Sequence, residues 1–206
     1  MPSARTKNGY HHGDLRRAII DAGEAELAER GLDGFSLRRV SARVGVSHTA
    51  PAHHFGDVAG LVDALAERGF RRLLACMIAR QETAPQTAHE QLIASGLGYL
   101  EFAQAHPALF RLIFGRPKAP DPDQELRAAG EAAFMHLARD VAAFHGTEPL
   151  AHPCAQEQVL ACWTRVHGFA ELLLAGHISL PADDDPSAYE ALFRKVFEAQ
   201  LDKPAG

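Results

Sequence analysis

Apolar residues recur along this chain three and four positions apart and seldom alternate. That period belongs to helices, where side chains at i, i+3, i+4 and i+7 share a face. The first stripe is Leu15, Ile19, Ala22, Gly23 and Leu27. It opens near Asp14, whose carboxylate suits a helix N-terminus, and stops at Gly31. A short helix follows, with Ser36 as N-cap, Leu37, Val40 and Val44 inward, and Gly45 as its end. Ser47 is expected to cap a third, very short helix that closes around Phe55 and Gly56. Asp57 opens a long helix holding Leu61, Leu65, Leu73 and Leu74.

A break at "TAPQT" leads to a helix with Leu92, Ile93, Leu97, Leu100 and Phe102. "HPALFRLIFG" is a short helix with Pro107 in its first turn, and "GRPKAPDPD" is a proline-rich loop. Leu126, Gly130, Ala133, Leu137, Val141 and Phe144 mark the next helix. The segment from about Cys154 to Gly176 is apolar on more than one face. Leu160, Trp163, Val166, Ala170 and Leu173 are expected to face the chain's own core, and Cys162, Gly168, Leu172 and Ala175 a partner. A last helix from Asp185 and Pro186 bears Tyr189, Leu192, Phe193, Val196, Phe197 and Leu201. The pattern predicts an all-α protein of about nine helices.

Composition agrees: Ala, Leu, Arg and Glu abound and β-branched runs are missing. With 206 residues, 47% of them hydrophobic, the chain can bury a real core. No apolar run reaches membrane-span length and the polar start "MPSARTKNGYHHGD" has no signal core, so a soluble cytoplasmic protein is expected. Cys76, Cys154 and Cys162 read as reduced, buried thiols. The net charge of −5 is uneven: residues 1–56 carry eight Lys/Arg against six Asp/Glu, and the remainder is acidic. A mildly basic head is a weak sign of a polyanion-binding end.

The stretch "GVSHTAPAHHFGD" decides the chemistry. Two short helices joined by a tight turn with Gly describe a helix-turn-helix over about 36–55. Gly45 supplies positive φ and Val46 plugs the space between the helices. His48, Thr49 and Ala50 are expected in the first turn of the projecting helix, where short side chains approach base edges. His53 and His54 lie near its end, within reach of phosphates. Being adjacent they diverge by about 100°, a poor arrangement for one metal ion. Pro51, at about the fourth helical position, is awkward because it costs the first intrahelical bond. Arg38, Arg39 and Arg43 offer either phosphate contacts or a solvated face. Residues 1–12, with Tyr10 and His11, form a candidate arm along the DNA backbone.

From about Gly13 to Phe70 the chain resembles the DNA-binding domain of TetR-family transcriptional regulators. The resemblance lies in "AIIDAGEAELAERG", "SLRRVSARVGVS", "HHFGD" and Leu61. "HPALFRLIFGRP" and "WTRVHGFAELLLAG" are similar to the family's C-terminal domain type marked by Trp-His-Gly, here Trp163, His167 and Gly168. The resemblance implies a DNA-binding domain over 13–72 with Ser36, Arg38, Ser47, His48, Thr49, Ala50, His53 and His54 at the DNA. It implies an effector-binding and dimerisation domain over 73–206, paired through its last two long helices. A near-palindromic operator and a small-molecule effector would be the partners; most members repress transcription. The family usually has tyrosine where Ala52 stands, lysine where Val58 stands, and an acid where Arg39 stands. The last departure removes the usual capping box with Ser36.

Phe102, Phe110, Phe114, Phe134, Trp163 and His167 are the candidate effector-lining residues, with ordinary core as their alternative reading. A metal-responsive repressor using C-terminal histidines is a second reading. A histidine-dependent hydrolase is a remote third, since no H-E-x-x-H, C-x-x-C or G-x-S-x-G is present. The sequence points to no catalytic residue and no cofactor.

Overall fold

The computed structural model describes residues 12–115, 123–178 and 186–199, with the side chains of 12–13 and 186–188 excepted. Nine helices make up the described residues: α1 (His12–Arg30), α2 (Leu37–Val44), α3 (Ala50–Phe55), α4 (Val58–Glu82), α5 (Ala88–Ala105), α6 (Pro107–Gly115), α7 (Gln124–His145), α8 (Pro153–Leu174) and α9 (Pro186–Glu198). The chain divides into two compact units, Met1–Ala66 and Glu67–Gly206, and α4 carries it from one to the other. Tyr10, His11, most of "GRPKAPDPD" and Leu201 lie outside the described residues.

In the first unit Ile19, Leu27, Val40, Leu61 and Leu65 are buried, as the stripes require; Ile20 and Val62, outside the stripes, are buried too, and Leu15, Leu37 and Val44 are half-buried. Gly45 takes φ 74° at the end of α2. There Val46 N–H donates to Ser41 O at 3.1 Å and Gly45 N–H to Ala42 O at 3.3 Å. These paired bonds close the helix with its left-handed residue, which a Cβ would strain.

Two local expectations are corrected. Thr49, not Ser47, is the N-cap of α3, so His48 and Thr49 precede the helix and only Ala50 starts it. Pro51 is the reason. A helix capped by Ser47 would need an N–H from Pro51 to bond the Ser47 carbonyl, and proline has none. The chain turns first, with Ala50 N–H on Ser47 O at 3.0 Å, and the first α-helical bond is His53 N–H to Thr49 O at 3.2 Å. Pro51 thus sits in the first turn, where no N–H is needed, and its ring is buried. The second correction concerns Ser36. Its backbone is extended as an N-cap's should be, but its hydroxyl caps nothing.

In the second unit α5 is the spine. Every residue from Leu92 to Leu100 is buried, and α6, α7, α8 and α9 all pack on it. An apolar helix covered all round behaves so. Glu90 on α5 receives both Nη atoms of Arg194 on α9 at 2.9 Å, a fork that holds the carboxyl below the usual range. Phe193 and Phe197 of α9 are buried, and Phe193 meets Phe169 of α8 edge-on at 5.4 Å.

The faces of α8 are partly exchanged. Leu160, expected inside, is 54% exposed, and Cys162, expected outside, is 3% exposed. Val166 and Ala170 are buried and Leu172 is exposed, as expected. The exposed apolar residues of α8 are therefore Leu160 and Leu172, on neighbouring parts of its outer surface, with Gly168 half-buried between them in sequence. Of the thiols only Cys162 is buried; Cys154, in the first turn of α8, is exposed.

At Gly98 the backbone of α5 lies close against that of α4. A Cβ there would lie 2.4 Å from the Cys76 carbonyl oxygen. Backbone cannot yield as a side chain tip can, so Gly98→Ala should cost about 1–3 kcal/mol. A lowered Tm with unchanged helical circular dichroism at low temperature is the expected result.

Candidate nucleic-acid interface and effector-binding body

The surface of the first unit is organised by one buried carboxylate. Glu26, in the second half of α1, is 0% exposed and shares the helix's inner face with Ile19 and Gly23. Arg39 Nε donates to its Oε1, and Arg43 Nε donates to its Oε2 at 3.4 Å. Arg39 also donates to the Gly34 carbonyl, and Arg43 to Glu29, which lowers the Glu29 pKa. A carboxylate out of water must be paired, and two guanidiniums from α2 meet that need. So Arg39 and Arg43 brace α2 on α1 rather than forming a solvated face. The missing capping-box acid is explained: position 39 answers to Glu26.

Arg38, one residue earlier, is exposed and makes no ion pair among the described residues. Two residues before it the half-buried Ser36 leaves the first N–H groups of α2 without a side-chain cap. Across the turn, Ser47, His48, Thr49 and His53 are exposed, and Ala50 and His54 half-buried. The Ser47 and Thr49 hydroxyls lie 3.0 Å apart in hydrogen-bond contact. The His54 ring leans on Phe55 at 6.2 Å, and the Arg16 guanidinium lies over the Phe55 ring at 5.3 Å. This edge combines small hydroxyls, imidazoles, one guanidinium and an open helix N-terminus.

In the second unit the candidate aromatic residues are brought together, with one exception. Phe114 meets Phe110 at 5.1 Å, His167 at 4.9 Å and Trp163 at 6.1 Å. Phe134, 38% exposed, meets Trp163 at 6.2 Å. Phe102 is fully buried and its ring contact is with His106 instead. At the centre is Tyr99, which the sequence reading missed. Its hydroxyl shares a hydrogen bond with His167 Nδ1 at 2.9 Å. Burial raises the Tyr99 pKa, opposed by a hydrogen bond from Trp163, so the phenol stays protonated. Burial lowers the His167 pKa, opposed by Glu171, whose Oε1 lies 3.9 Å from His167 Nε2.

A second polar cluster was missed as well. His136 and Asp140, one turn apart on α7, meet Gln81 of α4 and lie against Ser95 of α5. The signal was present in polar residues interrupting apolar stripes. Among the described residues no group of three or more His, Cys, Asp or Glu side chains is placed to hold a metal ion, and no helix is long and apolar enough to cross a membrane.

A short glycine-hinged helix pair on one unit and a helical bundle with an aromatic centre in the other define a helix-turn-helix protein with an appended α-helical body. The comparisons agree. Residues 19–65 match the model for bacterial regulatory proteins of the tetR family, and residues 92–196 the tetracyclin repressor-like C-terminal domain. The chain belongs to the TetR family. The HTH-type transcriptional regulator BetI of Burkholderia mallei (strain NCTC 10229) is 34% identical over 82 residues. That match spans 39% of this chain and 42% of the relative. A Rhodococcus sp. RHA1 protein of unknown function shares 34% identity with a TM-score of 0.75, covering 92% of this chain and 98% of its own. The TetR family transcriptional regulator PfmR of Thermus thermophilus, at 14% identity and TM-score 0.61 over 89% of this chain and 99% of its own, shares the fold.

Replacing Glu26 with Ala should cost about 1–3 kcal/mol, because charged hydrogen bonds are lost while the part-exposed guanidiniums turn to water. Urea denaturation should show the loss as a lower midpoint at unchanged slope.

Proposed function

We propose that this chain is a homodimeric repressor of transcription, held on a near-palindromic operator by its helix-turn-helix and released by a small-molecule effector in its second unit. The observation that carries the reading is the exposure of Ser47, His48, Thr49 and His53 around the start of α3, together with the α2 N-terminus that no side chain caps. Thr49 and Ala50 suit base edges, including a thymine methyl, and His48 lies beside them. Ser36, Arg38, His53 and His54 suit phosphates, Arg38 carrying the load that Ala52 and Val58 cannot. The arm residues Tyr10 and His11 are proposed as further backbone contacts.

Dimerisation is supported by a second observation. Leu160 and Leu172 of α8, and Leu192 and Val196 of α9, are exposed at 54%, 49%, 37% and 46%. Gly168 lies between the two leucines with nothing within 4 Å of a built Cβ. Exposed apolar side chains on two neighbouring helices suit a four-helix contact with a second copy. The effector reading is supported by the aromatic cluster around Tyr99, with Trp163 and His167 on one face of α8.

Duplexes selected from a random pool should carry half-sites about one helical turn apart, roughly 34–36 Å, or a multiple of it. Arg38→Ala should weaken all duplexes and reduce the slope of log K against log salt by about 1. Thr49→Ala should relax preference at one base position, a discrimination of about 1–3 kcal/mol. Anisotropy titrations over a salt series measure both, and a salt-independent affinity contradicts the docking. Leu172→Glu should yield monomers in sedimentation velocity and lose operator affinity with the helical signal retained.

A further inference from the structure

Between Arg43 and Arg68 the chain has no lysine or arginine. That stretch includes the turn at Gly45, all of α3 and the start of α4. Its side chains able to carry positive charge are three histidines, His48, His53 and His54, set against the acids Asp57, Asp63 and Glu67. The helix read as meeting a polyanion therefore has no permanent cation of its own. Lysine and arginine, the usual phosphate partners, are charged at every working pH. Histidine differs, because its charge changes between about pH 5 and 8.

His48 and His53 are exposed and His54 is half-buried. Among the described residues none of the three makes a side-chain hydrogen bond or an ion pair, and the ring contact is that of His54 on Phe55. Helices α1 and α2 pack on α3. From α1, Arg16 lies over the Phe55 ring, and Arg17 pairs with Asp21 at 4.0 Å. From α2, Arg39 and Arg43 are turned onto Glu26 and Glu29, and Arg38 is exposed. On the α4 side Asp57 accepts the Gly60 N–H at 3.0 Å, and Asp63 has a buried Oδ1. So no described carboxylate is in ion-pair contact with the three imidazoles. A phosphate arriving beside them supplies the missing anion, and an adjacent anion favours the charged form.

We propose that this chain takes up protons when it binds its operator, with His48, His53 and His54 meeting backbone phosphates as imidazolium. The inference rests on the reading of α3 as the DNA-facing helix and names what charges it. The sign follows from linkage. The bound form holds more protons than the free form, so affinity is greatest at low pH and is lost as pH rises through the imidazole range. The phosphodiesters keep their charge throughout that range, so the change lies on the protein. Acidification tightens the hold on DNA and alkalinisation loosens it, with no effector involved.

The full-length protein is titrated into a labelled duplex selected from a random pool at about pH 6, and anisotropy is followed at about pH 6, 7 and 8 at fixed ionic strength. Affinity is expected to be about tenfold or more higher at the lowest pH than at the highest. The slope of log K against log salt should be steeper by about 1 or more at the lowest pH, because each imidazolium releases counterions as an arginine does. Combining His48→Gln, His53→Gln and His54→Gln keeps neutral N–H groups and should flatten the pH dependence. His53→Arg should retain affinity at the highest pH, where the parent loses it. His48→Gln with His53→Gln changes exposed rings alone and keeps the test valid if the half-buried His54 does not tolerate replacement. Equal parental affinity across the pH range overturns proton uptake and leaves the repressor reading standing. A pH dependence that survives intact in the folded variants places the protons elsewhere and overturns it too. A chain that binds no duplex at any pH refutes the repressor reading, and this inference with it.

Discussion

The carboxylate of Glu26, fully enclosed between α1 and α2, is the constraint on which the DNA-facing head depends. A buried charge without partners is among the costliest defects a small domain can carry. Its two oxygens are taken by Arg39 and Arg43, one turn apart on α2. That pairing sets the rotation of α2 about its own axis. Arg38 is then left exposed, and Gly45 directs the chain into α3. The exposure of Ser47, His48, Thr49 and His53 follows from that chain of geometry rather than from hydrophilicity alone.

The helical stripes were legible because the apolar period is unbroken over long segments, and the turn at Gly45 because glycine was required there. The registers that failed share a physical cause: a side chain's partner lies far away in sequence. Arg39 reads as an exposed cation until Glu26, thirteen residues back, is known to be buried. Ser47 reads as a cap until the missing N–H of Pro51 is counted against it, which the sequence did contain. On α8, Leu160 and Cys162 exchanged faces because a helix apolar all round offers no period to read. Tyr99, Ser95 and Asp140 were hidden inside stripes that looked like core.

In the second unit the buried α5 does for the body what Glu26 does for the head. Gly98 lets it press on α4, Glu90 locks it to α9, and its Ser95–Tyr99 face holds the polar atoms around which α7 and α8 arrange their aromatic and titratable side chains. A spine of this kind leaves α8 and α9 free to present Leu160, Leu172, Leu192 and Val196 outward. The core, a candidate ligand site and a candidate self-association surface thus occupy different faces of the same few helices. A ligand that repositions Tyr99 would act on the elements that carry those exposed side chains.

The most direct measurement places a photo-activatable crosslinker on the cysteine of Thr49→Cys, with Cys154 replaced by serine, and maps adducts on a selected operator duplex. Major-groove base adducts at symmetric positions in the two half-sites are the predicted result. A variant that binds the duplex with parental affinity yet yields no base adducts would show that α3 does not enter the groove.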